Sequence, residues 1–316
     1  MRRSCSWYQA IALVATFFAT QSGLALAAQS VTPDDKPTHE PVFRISRLPD
    51  DVQPQPAAVP EVANASSEMP NAVPPAVVRH PLDPAIDLAK SRLDAIRSDV
   101  MDYQAIMVKR ERIDGKLRDP EYMKIKVRNR RQTEAGAVPF SIYMRFLKPK
   151  DIRGREVIFV ENQNNGKLVA HDTGLLGRIT VYLDPMGPMA MQNSRYPIYE
   201  AGIENLVVKL IEKAERDKVA GDCEVEFVET SKINDRPCTK IKVTHPVQKA
   251  PYDFNVAEVF IDNELQVPVR YAAYTWPRVT GADPELIEEY TYLNLELNKG
   301  FTDRDFDKTN PEYEYH

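Results

Sequence analysis

Cysteine is scarce: three in 316 residues, too few for a disulfide-dense scaffold. There is no CxxC or HxxxH spacing, and the five histidines are scattered at His39, His80, His171, His245 and His316, so neither a zinc centre nor any other metal or cofactor site is expected. No GxSxG elbow accompanies the serines. Positive charge is not in excess; the net charge of −5 and pI near 5.7 argue against a nucleic-acid binder, which needs a basic surface to displace counterions. No repeat of 20–50 residues is visible, which excludes solenoids and propellers. Glycine is sparse, 12 against 25 prolines, and the prolines are clustered.

What is present begins with an address. Arg2 and Arg3 precede an apolar run from Ala10, and Ala25-Leu26-Ala27 supplies a small-x-small cleavage pattern. Residues 1–28 therefore read as a secretory signal peptide. Thr20, Gln21, Ser22 and Gly23 interrupt the run before it could span a bilayer, and no later stretch is apolar enough. After cleavage no transmembrane segment is expected, the charge falls to about −7, and the protein is periplasmic or otherwise extracytoplasmic. Residues 29–81 hold eleven prolines and no glycine. Each proline removes a backbone donor and extends its predecessor, so this stretch reads as a disordered, semi-rigid linker.

Residues 82–316 read as one folded domain. Leu82, Ile86, Ala89, Leu93, Ile96 and Val100 recur at helical spacing behind Asp83-Pro84. Strands follow at 103–113, 123–128, 140–146, 156–161, 167–172 and 178–184. A second helix covers 203–218, and five more strands lie at 224–230, 238–245, 256–261, 267–276 and 287–297. Met123, Ile125 and Val127 alternate with Lys124, Lys126 and Arg128, as expected of a sheet with one face buried and one in water. Eleven antiparallel strands with two main helices predict an α+β fold. Because wide twisted sheets tend to curl, the expectation is a strongly curved half-barrel holding the helices in its concave face.

The element order resembles the LolA, LolB and RseB class of periplasmic proteins. Local sequence is similar to the secreted bacterial family DUF1571, through Phe146-Leu147-Lys148-Pro149, Arg153-Gly154-Arg155-Glu156-Val157, Gly166-Lys167-Leu168-Val169-Ala170-His171, Asn234-Asp235-Arg236-Pro237-Cys238-Thr239, Val259-Phe260-Ile261-Asp262, Val267-Pro268-Val269-Arg270 and the closing Gly300-Phe301-Thr302-Asp303. The DUF1571 likeness implies no catalytic residue. The LolA likeness implies a concave face that binds acyl chains.

Cys238 and His245 are seven apart on one strand and so face opposite ways. Opposite a turn at Asn234-Asp235, Cys223 faces about residue 246 and Cys238 about 231, which opposes a disulfide between them. Asp303, Asp305 and Asp307 with Glu314 match calcium-loop spacing, but Lys308 stands where the loop needs glycine. Phe140, Ile142, Met144 and Phe146 share one strand face, and Met186, Met189 and Met191 form an adaptable loop beside a glycine-proline turn. These seven residues are the expected ligand-binding wall and lid. The expected function is a non-enzymatic binding protein for a lipid acyl chain or other apolar ligand; the alternative is an RseB-like interaction module that reads an envelope protein. N-terminal sequencing of exported protein should find a start near Ala28, and an intact Met1 would contradict the compartment assignment.

Overall fold

The computed structural model describes residues 79–315 apart from 173–178, 222 and 280. The leader and nearly all of the linker lie outside the described residues; of 29–81 only the last three are within them. Two helices dominate, α1 (Asp83–Asp99) and α3 (Ile203–Ala220), with a single-turn α2 (Pro188–Met191) between them. The strands are β1 (Asp102–Ile113), β2 (Lys116–Leu117), β3 (Glu121–Arg128), β4 (Arg131–Thr133), β5 (Gly136–Val138), β6 (Ser141–Lys148), β7 (Glu156–Val160), β8 (Leu168–His171), β9 (Thr180–Leu183), β10 (Glu224–Ile233), β11 (Arg236–Thr244), β12 (Val256–Asp262), β13 (Pro268–Thr275) and β14 (Glu285–Leu297). The large sheet runs β10-β11-β12-β13-β14-β1-β3-β6-β7-β8-β9, with β2 attached to β1 and every pairing antiparallel.

The half-barrel that the strand count predicts does not form. The sheet is open, with β10 and β9 as its two edges and, among the described residues, no pairing that closes or curls it into a half-barrel. Strand number alone does not set closure. The edges are poor partners for each other: β9 has four residues, and β10 carries Glu224, Glu226, Glu229 and Lys232 along a largely exposed strand. The helices lie against one face, and α1 and α3 run antiparallel. Arg97 bonds Glu204 at 2.9 Å near one end, and Lys218 pairs with Asp83 at the other.

The main core joins α1 and α3 to the central strands, through Leu93, Ile96, Ile203 and Val207 against Tyr103, Ile125, Val127 and Ile142. Gly202 sets the entry of α3. Its φ of +104° with ψ of 161° is a region open essentially to glycine. A Cβ there would stand 3.1 Å from the Tyr103 hydroxyl, and that hydroxyl accepts the Ile203 N–H at 2.8 Å.

The opposite face of β3, β6 and β7 is open to water only in part: Lys124 is exposed, but Lys126, Arg128 and Tyr143 are buried. The C-terminal tail covers the rest, with Phe306 and Tyr313 buried against Tyr143, Ile158 and Val160. The acids of the calcium-like spacing meet cations of the sheet. Asp303 bonds Arg128 at 2.7 Å, Asp305 bonds Lys126 at 2.9 Å, and Glu314 pairs with Arg145. Asp307 instead accepts the Thr309 N–H at 2.8 Å. Burial works against the Asp305 charge, but the Thr302 amide and the Lys126 ammonium hold its carboxyl below the usual range. Gly202→Ala should lower the unfolding free energy by roughly 1–3 kcal/mol, read by denaturant titration; a loss within error would show that the backbone here is not strained.

Candidate functional site

On the β11–β13 side the buried residues do not merge into one core. Leu82, Ile86 and Cys223 form one cluster, and Phe254, Ala257, Tyr271 and Ala273 form another. The main core, with Leu93, Ile96 and Val207, is a third. Between them lies an apolar cavity of about 90 Å³, open to the surface. Its helical walls are Ala85, Ile86 and Ala89 of α1 and Val207, Leu210, Ile211 and Ala214 of α3. Its floor is Ile241 and Val243 of β11 with Ala257, Val259 and Ile261 of β12. The gap has a plain cause in side-chain size: alanines at 85, 89, 214 and 257 are too short to bridge from helix to sheet. An enclosed apolar cavity of ~150 Å³ accepts benzene, so the space is on the scale of part of a small apolar ligand.

Three charged side chains reach the cavity: Arg92, Lys213 and Asp217. Asp217 is 1% exposed, and His245 beside it is 0% exposed. Arg216 holds Asp217 Oδ1 at 3.0 Å. The His245 ring stacks on Tyr252 at 3.9 Å between centroids, and its Nδ1 lies 3.2 Å from the Phe254 carbonyl oxygen. That contact assigns the Nδ1–H tautomer and turns the Nε2 lone pair towards Asp217 Oδ2, 3.6 Å away. Burial lowers the His245 pKa, partly offset by Asp217. Burial raises that of Asp217, partly offset by Arg216.

None of the seven residues of the expected wall and lid lines this cavity. Phe140, Ile142 and Met144 sit in the main core, with Phe146 half-buried at its margin. Met186 and Met189 are exposed, Met191 is half-buried, and Ala190 packs on the edge of the core. β6 and the residue before it thus gather the first four on one face, while two of the three methionines are exposed. The base of that loop is anchored by a feature that strand alternation did not reveal. Glu111 of β1 and Glu288 of β14 are direct cross-strand partners and both are buried. Glu288 accepts Arg195 Nε at 2.8 Å and the Tyr196 hydroxyl at 3.1 Å, and Glu111 accepts the Arg195 backbone N–H at 3.1 Å. Direct cross-strand partners share a sheet face, and it is the register that makes Glu111 and Glu288 neighbours.

Cys223 and Cys238 are not joined. Cys238 pairs with Ser231, and the two thiols occupy separate clusters. Cys238 packs with Phe260 and Val269, away from His245. Among the described residues no group of three or more His, Cys, Asp or Glu side chains could hold a metal ion, and no helix is long and apolar enough to cross a membrane.

The family model described as "Protein of unknown function (DUF1571)" matches residues 100–315. All the strands and α3 fall inside that span, and α1 precedes it. No curated protein matches the sequence. Among solved structures, the chain is similar to a DUF1329 family protein from Desulfovibrio piger, at 12% identity and TM-score 0.37 over 72% of this chain and 98% of that one. It is similar to a putative outer membrane lipoprotein-sorting protein domain from Vibrio parahaemolyticus, at 14% identity and TM-score 0.34 over 71% and 96%. A third is the lipoprotein LppX of Mycobacterium tuberculosis, at 12% identity and TM-score 0.39 over 71% and 100%.

The buried imidazole yields a pH test. With a folded-state pKa below its usual 6.5, His245 takes up its proton more readily in the unfolded chain. Its contribution to stability is therefore present above about pH 6.5 and is lost as pH falls. Between about pH 7.5 and 5.5 the Tm should drop, and His245→Phe should flatten that slope; an unchanged slope would remove His245 as its source.

Proposed function

We propose that this chain, which belongs to the DUF1571 family, is an extracytoplasmic protein that binds a lipid acyl chain or another apolar ligand between α1, α3 and strands β11–β12. The observation that carries the reading is the apolar cavity where three buried clusters fail to meet. The compartment rests on the leader, with Arg2, Arg3, the apolar run and Ala25-Leu26-Ala27.

Size decides how binding would occur. About 90 Å³ holds only part of an acyl chain, so a full chain requires α1 and α3 to part from the sheet. Across their outer surfaces the two helices are joined by Lys90–Glu215 at 2.5 Å, Arg97–Glu204 at 2.9 Å and Lys218–Asp83. An exposed pair such as Lys90–Glu215 contributes ~0–1 kcal/mol, while the carboxylates of Glu204 and Asp83 are partly covered. The pairs fix the resting register of the helices without opposing a modest separation. The methylenes of an entering chain would replace the contacts that the parted helices lose, at about 0.8 kcal/mol per buried CH₂.

Mass spectrometry of denatured protein, after purification from its exporting host, tests this reading. Wild type should release a lipid or other apolar compound. Ala89→Phe, which places a ring in the cavity, should release little while its Tm stays within a few degrees of wild type. Protein that comes out empty, and retains a protein partner on crosslinking, would favour the interaction-module reading instead.

A further inference from the structure

Among the charged groups at the cavity, Lys213 pairs with Asp253 at 3.4 Å and Asp217 holds Arg216. Arg92 differs. It is half-buried on α1, its Nε is buried without a hydrogen-bond partner, and no ion pair reaches it among the described residues. The sequence of α1 explains this. The positions one turn away are Leu88, Ala89, Ala95 and Ile96, none of them acidic. The neighbouring cations Lys90 and Arg97 point to the outer surface, where they meet Glu215 and Glu204 of α3. Arg92 is the one that turns to the cavity. A guanidinium that has lost part of its hydration against apolar walls is unfavourable unless an anion completes it.

We infer that Arg92 is the headgroup receptor for an acidic amphiphile, an alkyl chain ending in a carboxylate or a phosphate. This rests on the reading of the cavity as a ligand site and narrows its ligand class. The planar guanidinium fork suits both anions through paired N–H donors. Position suits it too. Arg92 stands ten residues after Leu82, about 15 Å along the helix axis, and both residues line the cavity. An alkyl chain of medium length can run between them, with its tail towards Leu82 and Ala214 and its acid at Arg92. Asp217 borders the cavity on α3 and disfavours a second negative group near it, which gives the ligand a direction.

The test compares dodecanoate, dodecyl phosphate and 1-dodecanol, titrated into delipidated wild type and Arg92→Met, each by displacement of a fluorescent apolar probe. Methionine keeps an unbranched apolar stem and removes the charge. In wild type at least one of the acids should bind about tenfold or more tightly than the alcohol. Arg92→Met should lose that preference and keep its affinity for dodecanol, and Arg92→Lys should retain part of it. Equal binding of acids and alcohol by wild type, or an undiminished preference in Arg92→Met, would overturn the headgroup assignment and leave the apolar site standing. No binding of any of the three by folded wild type, with its melting transition intact, would overturn both.

Discussion

The structure depends on a shortage of cover. Eleven strands in one path, at about 4.8 Å each, make a sheet roughly 48 Å wide. Two helices side by side span about 20 Å, and even laid across the strands an 18-residue helix reaches only about 27 Å. The helices leave part of their own face, and all of the opposite one, to other parts of the chain. The tail lays Phe306 and Tyr313 on the far face of β6 and β7. The loop before α3 is fastened by Arg195 to Glu288 and Glu111. Where α1 and α3 meet β11 and β12, cover is incomplete and the cavity remains.

The cavity combines features that packing alone does not require. Its walls are aliphatic, yet one margin carries the buried Asp217–His245 pair and another carries Arg92. Asp217 is supported by Arg216, and His245 by the Phe254 carbonyl and the Tyr252 ring. These partners form a rigid polar block behind the apolar space. Arg92 has no comparable support. His245 Nε2, like Arg92 Nε, is buried without a hydrogen-bond partner, but it faces Asp217 at 3.6 Å, whereas no ion pair reaches Arg92 among the described residues; that difference links the fold to the binding function proposed for it.

Much of the architecture was legible in the sequence because periodicity reports burial directly. Met123, Ile125 and Val127 announced the helix-side face of β3, and the Leu93–Ile96–Val100 stripe announced α1. Periodicity is silent about what lies opposite. Lys126 and Arg128 read as solvent-facing, whereas the tail buries both, because the partners Asp305 and Asp303 lie more than 170 residues away. It is silent about closure as well: strand count suggested a half-barrel, while the short β9 and the charged β10 leave the sheet open. The cavity was harder still to read. Phe140, Ile142, Met144 and Phe146 are prominent in sequence because they are large, and large side chains fill space. The cavity is made by small ones, Ala85, Ala89, Ala214 and Ala257, which carry little signal until the helices are placed over the strands.

The central claim is that an apolar ligand occupies the space between α1, α3 and β11–β12. Photocrosslinking tests it most directly, with a dodecanoate that carries a diazirine midway along its chain and peptide mapping of the labelled protein. The account predicts adducts on Ile86 or Ala89, on Ile211 or Ala214, and on Val243 or Val259, all competed away by unlabelled dodecanoate. Competed labelling confined to β6, or to the loop bearing Met186 and Met189, would contradict it.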